Sequence, residues 1–361
     1  MHAMYDFPQL KQCTVILTRE CNLRCDFCYA KDAKYRVQDR FSFENFKKIA
    51  DFCIDSGVKF IFFTGGEPIM HPQFFEFLAY IKNNSTFIQT AVASNGVLLK
   101  DKDFCQQLVN SGLSYIDISM KGVDENEWLQ STGFTGHKDQ LQGISNIASL
   151  PIEFTCSMVV THSSVNNLCK QVLLAKQAGA RQFSFTFLID NSSNTVKGLQ
   201  YLQQHNPAQL IDKFLSQYNE LNSLTNDWWV EYSFPLCMYT EKQLELLKNR
   251  LASPCQVHHS NALTINNKLE CFPCDCFFDD KLGVLGKDFK NLNEFNVLRA
   301  SEYYQTIMHD KTKLRSAQCS QCKLYNQCYG GCPVLWRHYS FNDMHQYLTS
   351  YQNNIAYKTI F

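Results

Sequence analysis

Six short apolar runs separated by five amphipathic stretches occupy residues 13–190, and that alternation limits what the chain can fold into. The runs are 13–18, 59–64, 87–94, 115–120, 152–160 and 182–188, most of them β-branched or aromatic. Stretches 42–56, 72–83, 101–111, 138–149 and 165–178 have helical spacing, and Ser42 stands where an N-cap belongs. Gly57, Gly112 and Gly179 follow three of these stretches, where a helix-ending glycine is expected. Strand–helix units of about 30 residues predict an α/β fold with a parallel, buried sheet, either open or barrel-like. Six units are too few for a closed barrel of eight.

The end of the first run leads into Cys21, Cys25 and Cys28, spaced C-x3-C-x2-C. Three thiolates so close can each hold one iron of an iron–sulfur cube, but they leave the fourth iron open. Electron-transfer clusters take four cysteines; an open metal position is what chemistry needs. For the three cysteines alone, a zinc knuckle or buried structural thiols is the competing reading.

The following strand ends narrow the choice. Gly65, Gly66 and Glu67, followed by Pro68, come after the second run; the glycines allow close backbone approach to a ligand, and Glu67 can meet an ammonium. Ser94 and Asn95, with Gly96, follow the third run, and Ser119 closes the fourth. With the aromatic Phe27 before the last cysteine, this pattern resembles the radical S-adenosylmethionine (SAM) superfamily. The resemblance implies a partial (β/α)6 TIM-like barrel over 1–190 with its site at the C-terminal strand ends. It also implies a [4Fe–4S] cluster on Cys21, Cys25 and Cys28, and SAM held by the open iron, Glu67, Ser119 and the two other turns. Lys121 stands where the family often has an acid, a departure from it. The Val159–Thr161 strand end is a looser candidate contact.

The cysteines return later as Cys255, Cys271, Cys274 and Cys276, then Cys319, Cys322, Cys328 and Cys332, the last four spaced C-x2-C-x5-C-x3-C. This region, 251–340, resembles the SPASM domain, a small cysteine-rich extension that holds one or two auxiliary [4Fe–4S] clusters. By that resemblance Cys255, Cys274 and Cys332 belong to a nearer cluster, with Cys271 available as a fourth ligand. Cys319, Cys322 and Cys328 belong to a farther one. There are two departures. The family's hairpin glycine is replaced, at Leu269, and no cysteine follows Cys332. Cys276, His338, His345, or nothing, is left to complete the farther set, and Cys237 is a further candidate. Structural zinc is the competing reading. The remaining cysteines, Cys13, Cys53, Cys105, Cys156 and Cys169, fall on expected strands and helices as buried thiols. Residues 191–250 read as a bridge with a Trp228–Trp229 pair suited to a core, and 341–361 as a tail.

Lys plus Arg and Asp plus Glu are 34 each, which argues against a nucleic-acid-binding surface. No signal peptide or run of membrane-spanning length is present, so a cytoplasmic enzyme with reduced, metal-bound thiols is expected. The resemblance implies an oxidoreductase or peptide maturase acting on a peptide or protein, and a reductant such as flavodoxin or ferredoxin. Asp275, directly after Cys274, is a candidate general base, as in the Cys-Asp of anaerobic sulfatase-maturating enzymes; a solvent-facing turn acid is the plainer alternative. Because the cluster motif begins at residue 21, no leader-binding domain is expected ahead of it; a peptide would be bound directly or presented by a separate chain. A small-molecule dehydrogenase or carbon-skeleton enzyme is the alternative. Of another class altogether is an iron–sulfur or zinc sensor or scaffold.

Overall fold

The computed structural model describes residues 7–30, 40–192 and 195–354; part of the 191–194 loop and residues 355–361 of the expected tail lie outside them. The first strands and helices follow the alternation closely: β1 (Gln12–Thr18), α1 (Phe43–Asp55), β2 (Phe60–Gly65), α2 (Phe74–Asn84), β3 (Gln89–Ser94), α3 (Lys102–Ser111) and β4 (Tyr115–Met120). Then come α4 (Glu125–Thr132), α5 (His137–Ala148), β5 (Glu153–Val160), α6 (Leu168–Gln177) and β6 (Gln182–Phe187). Ser42 caps α1 by accepting the Asn45 N–H, and the three helix-ending glycines all adopt positive φ.

Helix α4 has no counterpart among the five stretches read from the sequence. Its eight residues, Glu-Asn-Glu-Trp-Leu-Gln-Ser-Thr, bury little beyond Trp128 and Thr132, so periodicity is faint. Asp124 starts it by accepting the Glu127 N–H, and Gly133 ends it.

Strands β1 to β6 pair in parallel and in chain order. Within 191–250 lie α7 (Leu199–His205), α8 (Pro207–Ser216), α9 (Tyr218–Leu224), β7 (Trp228–Val230) and α10 (Glu241–Leu247). Strand β7 adds to the sheet beside β6, and Trp228 is buried against Phe185 and Phe214. At the other edge β8 (Ala262–Asn266) runs parallel to β1, and β9 (Glu270–Phe272) and β10 (Gly283–Val284) follow antiparallel. One ten-stranded sheet therefore carries both the barrel strands and the hairpin of the cysteine-rich region. Leu269 turns that hairpin at φ +62°, a left-handed conformation that glycine adopts without steric cost.

The helix layer packs on one face of the sheet. Phe46 stacks on Phe77 at 4.2 Å, and Ile61, Phe63, Ile116, Ile118, Phe183 and Phe185 are fully buried beneath the helices. The opposite face of β4 to β6 is polar: Tyr115, Asp117 and Ser119 alternate with Ile116, Ile118 and Met120, and Thr155, Ser157 and Ser184 sit beside them in register. These strands were expected to be buried on both faces. They alternate because their inner face carries polar side chains rather than a second apolar layer.

Candidate functional site

The cysteine loop leaves β1 and is held from outside by α4. The Arg24 N–H donates to the Thr132 carbonyl at 2.8 Å and the Asp26 N–H to Ser131 at 3.0 Å, so the missed helix clamps both neighbours of Cys25. Inside the loop the Cys28 N–H donates to the Cys25 carbonyl at 3.2 Å, and the Leu23 N–H to the Cys21 sulfur at 3.4 Å. Cys25 lies within electrostatic reach of both Cys21 and Cys28. Burial pushes the Cys21 thiol up to about 12, the Glu67 carboxylate adding to it; burial also raises Cys25. Thiols held this way become thiolates when a cation supplies the missing counter-charge.

The glycine turn after β2 presses against the same loop. A Cβ on Gly66 would sit 2.1 Å from the Glu20 carbonyl, so a side chain there has no room. The Gly66 N–H donates to the Thr18 carbonyl and the Glu67 N–H to Glu20. This pins Glu67 at the strand end, 1 % exposed. Its Oε2 accepts the Asn95 N–H at 2.7 Å, while its Oε1 is buried with no partner. Burial pushes the Glu67 carboxyl up to about 7 against the hydrogen bonds from Asn95 and Ser94. An orphaned, desolvated carboxylate oxygen beside three thiols fits a ligand ammonium, the group that SAM would bring. Asn95 continues the cradle. Its Nδ2 donates to Asn22 Oδ1 at 2.6 Å and approaches the Cys21 sulfur at 4.0 Å, and its Oδ1 accepts the Val97 N–H. The Ser94 hydroxyl accepts the Gly96 N–H.

Two more side chains join these turns. Gln140, fully buried on α5, donates through Nε2 to the Asn95 carbonyl at 2.6 Å and to the Ser119 carbonyl at 2.9 Å, tying the third and fourth strand ends together. Lys121 donates to the Ser119 hydroxyl at 2.7 Å and lies 5.0 Å over the Phe27 ring. Its charge counters the anions of Cys25, Glu67 and Asp117. Thr161 of the fifth strand end spends its hydroxyl on Ser163 and Ser164. Two residues before Ser119 on β4, burial pushes Asp117 up to about 6 against a hydrogen bond from Ser157, and Asp117 Oδ1 has no partner. Glu231 beyond β7 is likewise raised by burial. No motif marks Gln140, Asp117 or Glu231; only the alternation of β4 pointed Asp117 inward.

The later cysteines separate into groups. Cys255, Cys274, Cys276 and Cys332 lie within electrostatic reach of one another. Cys271 is elsewhere: it is fully buried in β9 near Cys13 of β1, which in turn adjoins Cys53 of α1. The structure thus brings Cys276, not Cys271, to Cys255, Cys274 and Cys332. Cys319, Cys322 and Cys328 lie together on the helical segment that follows Ser316. His338, by contrast, is stacked 4.7 Å from Tyr201 and lines a different cavity. Asp275 accepts from the Cys274 thiol at 3.2 Å and also faces Tyr29, whose phenol burial and then Asp275 push upward. Tyr29 lies 3.3 Å from the Thr64 hydroxyl and donates to the Gly65 carbonyl, so a short path joins Asp275 to the glycine turn. A cavity of about 600 Å³ opens here, lined by Arg19, Tyr29, Lys197, Cys276, Phe278 and Arg337 among others. Arg19 stacks over Phe278 at 4.5 Å, with its NH1 buried and unpartnered. Among the described residues no helix is long and apolar enough to cross a membrane.

The Radical SAM superfamily model matches residues 15–167. A GTP 3′,8-cyclase of Campylobacter fetus is 30% identical over 216 residues, covering 57% of this chain and 62% of that protein, less than two thirds of its length. In structure, anSMEcpe with bound AdoMet superposes with TM-score 0.68 at 18% identity over 97% of this chain and 95% of that one. Streptococcus suis SuiB bound to precursor peptide SuiA superposes with TM-score 0.63 at 18% identity over 92% and 74%. At such identities these two structures bear on the fold alone. Residues 15–167, with the cysteine loop and strand-end turns built on them, match the model of the radical SAM superfamily, whose members use SAM and a [4Fe–4S] cluster.

Proposed function

We propose that this chain is a radical SAM enzyme that oxidises or crosslinks a peptide or protein side chain. Cys21, Cys25 and Cys28 are the ligands of the SAM-binding cluster, and Cys255, Cys274, Cys276 and Cys332 those of an auxiliary cluster. SAM on its reduced cluster supplies a 5′-deoxyadenosyl radical that removes a hydrogen atom from a substrate C–H bond. The chain's part is to hold and orient. Glu67 receives the SAM ammonium, Gly66 lets the backbone approach, and Gln140 keeps the Asn95 and Ser119 turns at a fixed separation. Asp275 receives the substrate proton at its carboxylate, next to Tyr29.

The observation that carries this reading is the four-thiol group beside Asp275, one member of which, Cys276, lines a cavity together with Tyr29, whose hydroxyl bonds the Gly65 carbonyl. An auxiliary cluster held by these four thiols would supply an electron acceptor, which suits net oxidation. The likeness to SuiB with its precursor peptide supports a peptide as the substrate class. A second reading has its own support. The unpartnered Arg19 nitrogen, with Lys197 and Arg337 on the same cavity, suits an anionic small molecule, and the Campylobacter fetus relative is named for a nucleotide reaction.

The test is anaerobic reconstitution with iron and sulfide, then SAM and dithionite. Formation of 5′-deoxyadenosine that disappears in Cys25→Ala is expected. Peptides and, separately, nucleoside triphosphates are then offered, and the product masses read. A mass loss of two hydrogens or a crosslink on a peptide supports the first reading; turnover of the nucleotide alone replaces it with the second.

A further inference from the structure

We propose that Cys237, which lies upstream of the whole cysteine-rich region, is the fourth thiolate of the farther set, closing with Cys319, Cys322 and Cys328 a [4Fe–4S] site. This rests on reading the cysteine-rich region as iron–sulfur-binding.

Residues 333–361 contain no cysteine, so that stretch supplies the set with no further thiolate. The structure brings the missing thiol from the other direction. Cys237 sits in the single turn Leu236–Met238, and with Cys319, Cys322 and Cys328 it lines one cavity of about 450 Å³ whose walls include Pro235, Leu324 and Trp336. The surroundings of the four sulfurs are largely apolar, as a low-dielectric cluster pocket requires.

The segment carrying Cys237 is fastened to the loop carrying Cys328 at several points. The Cys332 N–H donates to the Ser233 carbonyl at 2.7 Å, the Tyr232 hydroxyl donates to the Cys328 carbonyl, and the Leu236 N–H donates to the Cys328 sulfur at 3.2 Å. The last of these is an N–H to a sulfur that would be a cluster ligand, the kind of contact that tunes a cluster. Gly331 lets the two loops meet. It adopts φ +75°, and a Cβ there would lie 2.5 Å from the Pro235 nitrogen. The approach of residues 232–237 to 328–332 is therefore built into the backbone rather than left to side chains.

The other candidates are placed elsewhere. Cys276 lies with Cys255, Cys274 and Cys332, His338 faces the cavity of Arg19 and Tyr29, and His345 does not line this one. Burial raises the Cys237 thiol, and the three partner thiols raise it further, as expected of sulfurs gathered without their cation.

The test compares full-length parent, Cys237→Ala, Cys237→Ser, Cys319→Ala/Cys322→Ala and the triple variant with Cys237→Ala added, all reconstituted anaerobically. Iron and sulfide per chain and the EPR spectrum of the reduced protein are measured without substrate. The parent is expected to hold about 12 irons. Cys237→Ala should lose one to four of them, Cys237→Ser should retain them with an altered EPR signal, and the triple variant should lose no more than the double. The SAM-induced change in the signal of the first cluster should persist in all, which excludes general misfolding. Cys237→Ala with the parent's iron and spectrum, while the double variant loses about four irons, overturns the assignment of Cys237 alone. A parent that holds only about four irons, all lost with Cys25→Ala, or zinc in place of the rest, overturns the iron–sulfur reading of the region and this proposal with it.

Discussion

Glu67 meets two opposed demands. Its carboxyl is pushed from an ordinary 4.5 up to about 7, chiefly by burial. The folded chain therefore holds this proton more tightly than the unfolded chain. Between pH 4.5 and 7 the folded state binds more protons, so its contribution to stability falls as pH rises and is fully lost above about 7. The cost is on the order of 3 kcal/mol. Glu67→Gln keeps the acceptor for the Asn95 N–H and removes the buried charge. The metal-free variant should melt higher than the parent at pH 8, with little difference at pH 5, while SAM binding to the reconstituted variant weakens at least tenfold. Equal pH slopes in the two melting series would sink the argument. Lys121 makes a second prediction at this scale. Its ammonium opposes the anions of Cys25 and Glu67. Lys121→Met should make the SAM-site cluster harder to reduce in an EPR-monitored titration; an unchanged potential would show that Lys121 serves Ser119 alone. Of these residues Glu67 was legible in the sequence because two glycines and a proline frame it. Gln140 was not, since a glutamine that bonds two distant carbonyls looks like any polar residue on a helix.

Helix α4 shows why one whole element escaped. Its eight residues carry little apolar periodicity, yet its last turn supplies the Ser131 and Thr132 carbonyls that hold the cysteine loop. The fastening runs through Trp128, which is fully buried and packs against Gly136, where even a Cβ would come within 3.2 Å. Trp128→Ala should cost about 3–5 kcal/mol by cavity formation. It should also release the loop, so that reconstituted iron is lost from the Cys21–Cys28 site before it is lost from the later cysteines. Iron lost in parallel from all sites during a denaturant titration would mean that α4 has no special hold on the loop. The strands were easier to read than this helix, because each is a dense apolar run. Their polar inner face was missed where Tyr115, Asp117 and Ser119 alternate with apolar residues, because one-sided burial of a strand depends on what packs against it.

At the scale of the whole molecule the sheet decides how separable its parts are. The alternation of runs made the barrel strands legible, and the cysteine spacing made the C-terminal region legible as a metal-binding one. Nothing in either pattern said that Ala262–Asn266 would pair with Gln12–Ile16, because pairing across some 250 residues leaves no local signature. That pairing makes β1 an interior strand, bounded by β2 on one side and β8 on the other. Removing the region after residue 252 would expose the edge of a strand whose residues from Cys13 to Thr18 are all buried. Such an edge, apolar and uncovered, recruits other chains. The fragment 7–252 is therefore expected to be insoluble or to bind hydrophobic dye, whereas the intact chain melts in one cooperative transition. A soluble fragment that keeps a sharp melt and binds about four irons through Cys21, Cys25 and Cys28 would show instead that the barrel is complete without β8.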